Sequence, residues 1–223
     1  MTTMNILSIF ADAYRFYVGN LRQMAGLFLP ILLIVSALEQ VLTVTSDAAS
    51  VFWVALANLL FYPLYTGAML QLLARRTQHE TPTNAQLLFS ALRFWWPLLV
   101  LTFVVGAMVA FGLMLLIIPG IWIAVRLSFA EIYLVVEGLE PLAALRKSHD
   151  TTKELFWVIL LAIAGIYALL LGLSEVLGWM VDVYGGGDAW SIVAGTLVAF
   201  LGLFVNVVIF RIYLLNNVRQ AQV

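Results

Sequence analysis

The stretch "IIPGIWIAVRLSFAEIYLVVEG", residues 117–138, opens on a turn signal, Pro119-Gly120, and then runs almost unbroken through apolar residues, with Arg126 and Glu131 inside it. Roughly 20 mostly apolar residues are what a helix needs to cross the hydrocarbon of a bilayer. In water the two charges would need no account. At mid-bilayer each costs ~2.5–3.5 kcal/mol and demands a partner or a use. The rest of the chain decides between the two solvents. Of its 223 residues, 64% are hydrophobic and 10% charged, against roughly half and a quarter in soluble domains. A chain this short has too much surface for its volume to hide so many apolar side chains from water. Its main solvent is lipid.

Six stretches have the length and apolarity of a span: about 24–44, 51–73, 97–117, 119–137, 155–178 and 190–214. Only helices and closed barrels satisfy the backbone in hydrocarbon. Barrel strands alternate apolar with polar residues, and "LLVLTFVVGAMVAFGLMLLII" at 98–118 does not. The chain reads as an all-α polytopic bundle, one transmembrane domain over residues 1–223. Pro119 and Gly120 are expected to form the tight turn between the third and fourth spans.

Residues 1–22 lack the short apolar core and cleavage site of a signal peptide. They place Ile6, Ile9, Phe10, Ala13 and Tyr17 at helical spacing, with Asp12, Arg15 and Arg22 elsewhere. That predicts an interfacial amphipathic helix lying on the membrane. Two more segments fit the same description. "TPTNAQLLFSALRF" at 81–94 leads Leu87, Leu88, Ala91, Leu92 and Trp95 along one face, and "EPLAALRKSHDTTKE" at 140–154 has Pro141 at a helix start. The even-numbered spans echo each other in "EIYLVVE" (131–137) and "RIYLLNN" (211–217). The expected plan is three helical hairpins, each preceded by a cytoplasmic surface helix.

Orientation follows from where Lys and Arg fall in short loops. Arg15, Arg22, Arg75, Arg76, Arg93, Arg146, Lys147, Lys153 and Arg219 all flank the same ends of the spans, nine of the eleven basic residues. The opposite loops, near "TSDAAS", "IIPG" and "DVYGGGDAW", hold none. Both termini are therefore expected in the cytoplasm.

The remaining basic residues, Arg126 and Arg211, lie within spans. Counting from Pro119 at about 1.5 Å per residue puts Arg126 roughly 10 Å deep and Glu131 roughly 18 Å. Five residues apart, they diverge by about 140° and are not helix neighbours. Depth matching proposes Glu39 or Glu175 for Arg126, and Arg211 for Glu131. Such a buried charge network serves either as interhelical bridges or as a polar path for a proton, ion or headgroup. An Arg126 facing lipid without an acidic or carbonyl partner would overturn both. Asn206 in the sixth span reads as an interhelical hydrogen bond. Small-residue stripes (Ala164, Ala168 and Gly172; Gly195 and Ala199; Gly106 and Ala110) read as packing surfaces. Arg75, Arg76, Arg146 and Lys147 are candidate lipid-headgroup contacts, each worth ~1 kcal/mol near anionic lipid.

Other signals carry less. "SHD" at 148–150 holds triad letters, but contiguous helical side chains point about 100° apart and cannot converge. The chain has no cysteine and two histidines, His79 and His149, both in polar segments, so no metal site or cofactor is expected. "GGG" at 185–187 lacks the lysine and hydroxyl of a phosphate loop. A net charge of −1 gives no reason to expect nucleic acid.

From 117 to about 160, Pro119-Gly120 after an apolar helix, Arg126, the segment ending at Glu137, and "ALRKSHDTTKELFW" together resemble the YciC-like uncharacterised inner-membrane proteins of bacteria. They are also similar to the group that includes the membrane domain of some glycerophosphodiester phosphodiesterases, and the closing "FRIYLLNN" is similar too. The resemblance covers the last half of the chain; the first half matches in layout. It implies a six-helix bacterial inner-membrane protein without established chemistry. The phosphodiesterase chemistry sits in a separate soluble domain for which this chain has no room. The expected function is therefore non-enzymatic, an interaction with membrane lipids, with partner membrane proteins or a homo-oligomer as further candidates. The alternative is a small transporter or lipid translocator using the buried charges. A membrane-embedded enzyme ranks last, since no span gathers a nucleophile, a base and metal ligands.

Overall fold

A computed structural model describes residues 6–43, 48–185 and 187–220. Residues 1–5 of the expected surface helix, 44–47 of the "TSDAAS" region, Gly186 and the last three residues lie outside the described residues. The described chain forms α1 (Ile6–Gly19), α2 (Leu21–Thr43), α3 (Ala48–Thr77), α4 (Asn84–Leu115), α5 (Ile117–Arg126), α6 (Ala130–Val136), α7 (Pro141–Thr151), α8 (Phe156–Tyr184), α9 (Gly187–Gly202) and α10 (Phe204–Gln220), with no strand among the described residues. Six stretches are long and apolar enough to cross a membrane: Leu21–Thr43, Ala49–Thr77, Asn84–Leu115, Ile117–Val136, Phe156–Val181 and Gly187–Gln220. The chain therefore has the make-up of a multi-pass membrane protein.

The spans differ from the expected straight rods in four places. The turn between the third and fourth falls on Leu116, whose extended backbone (φ −163°, ψ 152°) ends α4 and starts α5. Pro119 lies inside the first turn of α5 instead, where its missing N–H is one of those a helix start leaves unbonded. Gly120 lets α5 close on α4: a Cβ added at Gly112 would lie 2.8 Å from Gly120 Cα. The second surface helix is not separate. α4 runs unbroken from a capping box, Thr83 with Gln86, through Pro97 to Leu115. The fourth span breaks at 127–129 into α5 and α6, and the sixth breaks at Leu203 into α9 and α10.

α1 packs against the rest of the protein rather than lying free of it. Ile9, Ala13 and Tyr17 are buried. Tyr17 sits edge-on to Phe200 and Phe204 and donates a 2.8 Å hydrogen bond to the Phe200 carbonyl. Around this contact the helices converge: α10 touches α1, α3, α8 and α9, and α6 is wedged among α3, α4 and α7. Thr66–Leu70, Leu72 and Leu73 of α3, and nearly all of α6, are buried. α8 ends at Gly185 in the left-handed conformation (φ 67°) that glycine adopts without strain.

Candidate functional site

The break in the fourth span organises the polar interior. At 127–129 the helical ladder lapses, and α7 fills the gap with hydroxyls. Ser148 Oγ and Thr152 Oγ1 donate to the Arg126 carbonyl at 2.9 and 3.0 Å, and Ser148 Oγ accepts from the Phe129 N–H at 3.1 Å. Both hydroxyl residues are fully buried. They are i, i+4 neighbours on one face of a polar helix, which is the signal the sequence offered for this role. The "SHD" run resolves into three separate contacts: Ser148 at the break, His149 edge-on to Trp122 (5.5 Å), and Asp150 paired with Lys153 (3.4 Å).

Arg126 is buried, 4% exposed, rather than turned to lipid. Its guanidinium lies over the Trp122 ring, 5.4 Å from the centroid, and its Nε is wholly enclosed with no hydrogen-bond partner. No acid lies within ion-pair distance of it among the described residues. Neither Glu39 nor Glu175, the acids proposed from depth, meets it. Glu39 instead accepts from Asn58 Nδ2 at 2.6 Å, and Glu175 is exposed on α8.

Glu131 does not meet Arg211 either. Tyr62 donates to it at 3.1 Å, and the Thr102 hydroxyl stands beside it without a hydrogen bond of good geometry. Arg211 bonds Asp12 at 2.8 Å, tying α10 to α1. The depth count assumed one straight sixth rod; the break at Leu203 separates Arg211 from the rest of that span. Asn58, Tyr62 and Thr66 recur every four residues along α3, a polar stripe legible in the sequence but not singled out from it. An open groove of about 410 Å³ between α3 and α4 is lined by Asn58 and Tyr62 of that stripe and by Thr102, Gly106, Ala107 and Ala110 of α4.

The remaining candidates serve other contacts. Asn206 lies in the first turn of α10, its backbone N–H bonded to Leu203 O, and its side chain makes no interhelical hydrogen bond to a described residue. Arg75 donates to Ser90 (3.1 Å) and Arg76 to Gln23 (2.5 Å), linking α3 to α4 and α2. Lys147 pairs with Glu137, which also accepts from Tyr213, and Arg146 is exposed. Ala164, Ala168 and Gly172 face outward, and a Cβ added at Gly172 or Gly106 would meet nothing beyond its own helix within 4 Å. Those stripes line open surface rather than a helix contact; Gly195, near Ser36 of α2, is the member that packs. In α1, burial pushes the Tyr17 hydroxyl above its usual pKa range, which keeps it a hydrogen-bond donor.

A family model for the uncharacterised protein family UPF0259 matches residues 35–215. The match covers most of the chain, and the chain belongs to that family. No curated protein and no solved structure matches it.

Proposed function

We propose that this UPF0259 member is a non-enzymatic, multi-pass protein of the bacterial inner membrane that binds lipids, with both termini in the cytoplasm. Nine basic residues at the same ends of the spans support the orientation. The resemblance of residues 117–160 to YciC-like inner-membrane proteins supports the compartment. The observation that carries the lipid reading is the open end of the molecule. There α8 and α9 leave apolar grooves of about 320 and 470 Å³ between them, and a third of about 520 Å³ separates α9 from α2. Their walls are mostly Leu, Val, Met, Ala and Trp side chains, with Ser174, Ser191 and Thr196 among them, and no described residue covers them. Acyl chains fit such grooves without directional bonds; a partner helix or a second copy would occupy the same surface. Native mass spectrometry of the protein released from membranes tests this. Retained lipid is the expected result; a bare monomer, carrying neither lipid nor protein, would sink the reading.

The broken fourth span favours a second reading, a small transporter or lipid translocator. Discontinuous helices mark transport sites in many carriers, and Glu131 beside the break has no cation partner among the described residues. Reconstituted vesicles should then move labelled lipid or solute across the bilayer, and Glu131→Gln should slow that movement without loss of fold. Equal rates with and without the protein would remove this reading.

A further inference from the structure

We propose that Arg126 is the seat of an oxyanion site that takes a phosphate group, the phosphodiester of an anionic lipid or free phosphate. The lipid form rests on the function proposed above and adds to it the residue and the chemical class.

A buried guanidinium without hydrogen bonds is expensive, because it has lost water and gained nothing directional. Arg126 is in that position: 4% exposed, Nε enclosed and unpartnered, with no side-chain hydrogen bond or ion pair to a described residue. It has not been left loose. Ser148 and Thr152 fix its carbonyl, and its guanidinium carbon lies 5.4 Å from the centroid of the Trp122 ring. With no side-chain N–H group of Arg126 bonded to a described residue, its planar N–H fork is free to receive two phosphate oxygens side by side.

The surroundings suit an anion. Trp122 is 45% exposed, so this wall opens to the surface, and the His149 ring stands against it at 5.5 Å. Asp150 is the acid on α7 two residues beyond Ser148, whose hydroxyl holds the Arg126 carbonyl. It is exposed and ion-paired with Lys153 at 3.4 Å, which offsets its repulsion of a phosphate. Arg146, exposed on the same helix, adds further positive charge. An arginine serving only as an interhelical bridge would show the acid or carbonyls it bridges to, and Arg126 shows none.

The test uses full-length protein, delipidated in neutral detergent, as wild type, Arg126→Gln and Arg126→Lys. Each is titrated with phosphatidylglycerol, phosphatidylcholine and inorganic phosphate, and read by native mass spectrometry and thermal melting. Wild type should bind phosphatidylglycerol about tenfold or more tighter than Arg126→Gln, with Arg126→Lys between them. If inorganic phosphate alone stabilises wild type and not Arg126→Gln, the oxyanion site stands and its source is free phosphate. Equal phosphatidylglycerol binding by wild type and Arg126→Gln, without any phosphate effect, overturns the Arg126 site and leaves the lipid reading intact. No lipid bound by wild type, again with no phosphate effect, overturns both. Melting without ligand separates a structural role. Removing an unpaired buried charge should leave Arg126→Gln as stable as wild type or more so, and a clear drop in its melting temperature would overturn the proposal.

Discussion

Two regions of this molecule use the same apolar alphabet to opposite ends. Where α6, α10 and the Thr66–Leu73 part of α3 meet, side chains are enclosed on every side: Phe129, Tyr133 and Tyr213 form an edge-to-face cluster with ring centroids 5.5–6.4 Å apart. At the α4–α5 tip, Met114 is 88% exposed and Ile118 80%, and along α8 and α9 most apolar side chains face outward. The first region is a core in the usual sense, held by protein–protein contact. The second leaves most of its apolar side chains uncovered by any described residue. Hydropathy treats the two alike; packing separates them.

The sharpest way to break that contrast is to truncate matched residues in both. Phe129 is fully buried in the aromatic cluster, so Phe129→Ala should cost about 3–5 kcal/mol and lower the melting temperature in detergent. Met114→Ala, at the tip, should stay within about 0.5 kcal/mol. Equal losses would mean that the tip is buried in the protein's working state, against a second copy or a partner.

Glycine offers the next test, because the open region is tight at one point. An added Cβ at Gly112 meets backbone of Gly120, whereas at Gly172 it meets nothing within 4 Å. Gly112→Val should destabilise by about 1–3 kcal/mol through overpacking. Gly172→Ala should gain up to about 1 kcal/mol from helix propensity. A loss at Gly172 would show that the outward stripe of α8 is covered after all.

This contrast also explains what the sequence disclosed. Length and apolarity show the spans because the bilayer sets both. The breaks at 127–129 and Leu203 were hidden because "RLSFAE" and "FLGLFV" hold no proline to mark the point where the ladder stops, and the groups that heal the first break, Ser148 and Thr152, arrive from a distant segment. Pro119 misled in the opposite direction: a proline signals a stop only beyond the first turn of a helix. The charges within spans were visible as a list, Arg126, Glu131 and Arg211, yet their surroundings were not. Pairing by depth presumes straight parallel rods, and Asp12, the real partner of Arg211, lies in a helix outside the spans. The stripe of Asn58, Tyr62 and Thr66 carried a readable spacing. It marks the α3 face nearest Glu131, and a search restricted to ionised groups passes over it.

Ser148→Ala probes whether the packed region depends on healing the break. The change removes one of two donors to the Arg126 carbonyl and strands the buried Phe129 N–H. The expected cost is ~1–2 kcal/mol, and hydrogen exchange should quicken at Phe129 and along α6. Unchanged exchange there would show that α6 is held by its apolar neighbours alone.

A small effect is expected at the ion pair that joins α1 to α10. Asp12 and Arg211 lie 2.8 Å apart, but their side chains are 39% and 40% exposed, so water and salt screen the attraction and about 0.2–1 kcal/mol is all it should contribute. The burial of Ile9, Ala13 and Tyr17 on the same helix far outweighs that. Asp12→Asn should therefore shift melting only slightly, and the shift should fade as salt is raised. A large, salt-resistant loss would place the pair in a dry environment. α1 would then be clamped on α10 by charge rather than by its apolar face, and the packed region would owe its order to the same kind of interaction that Arg126 lacks.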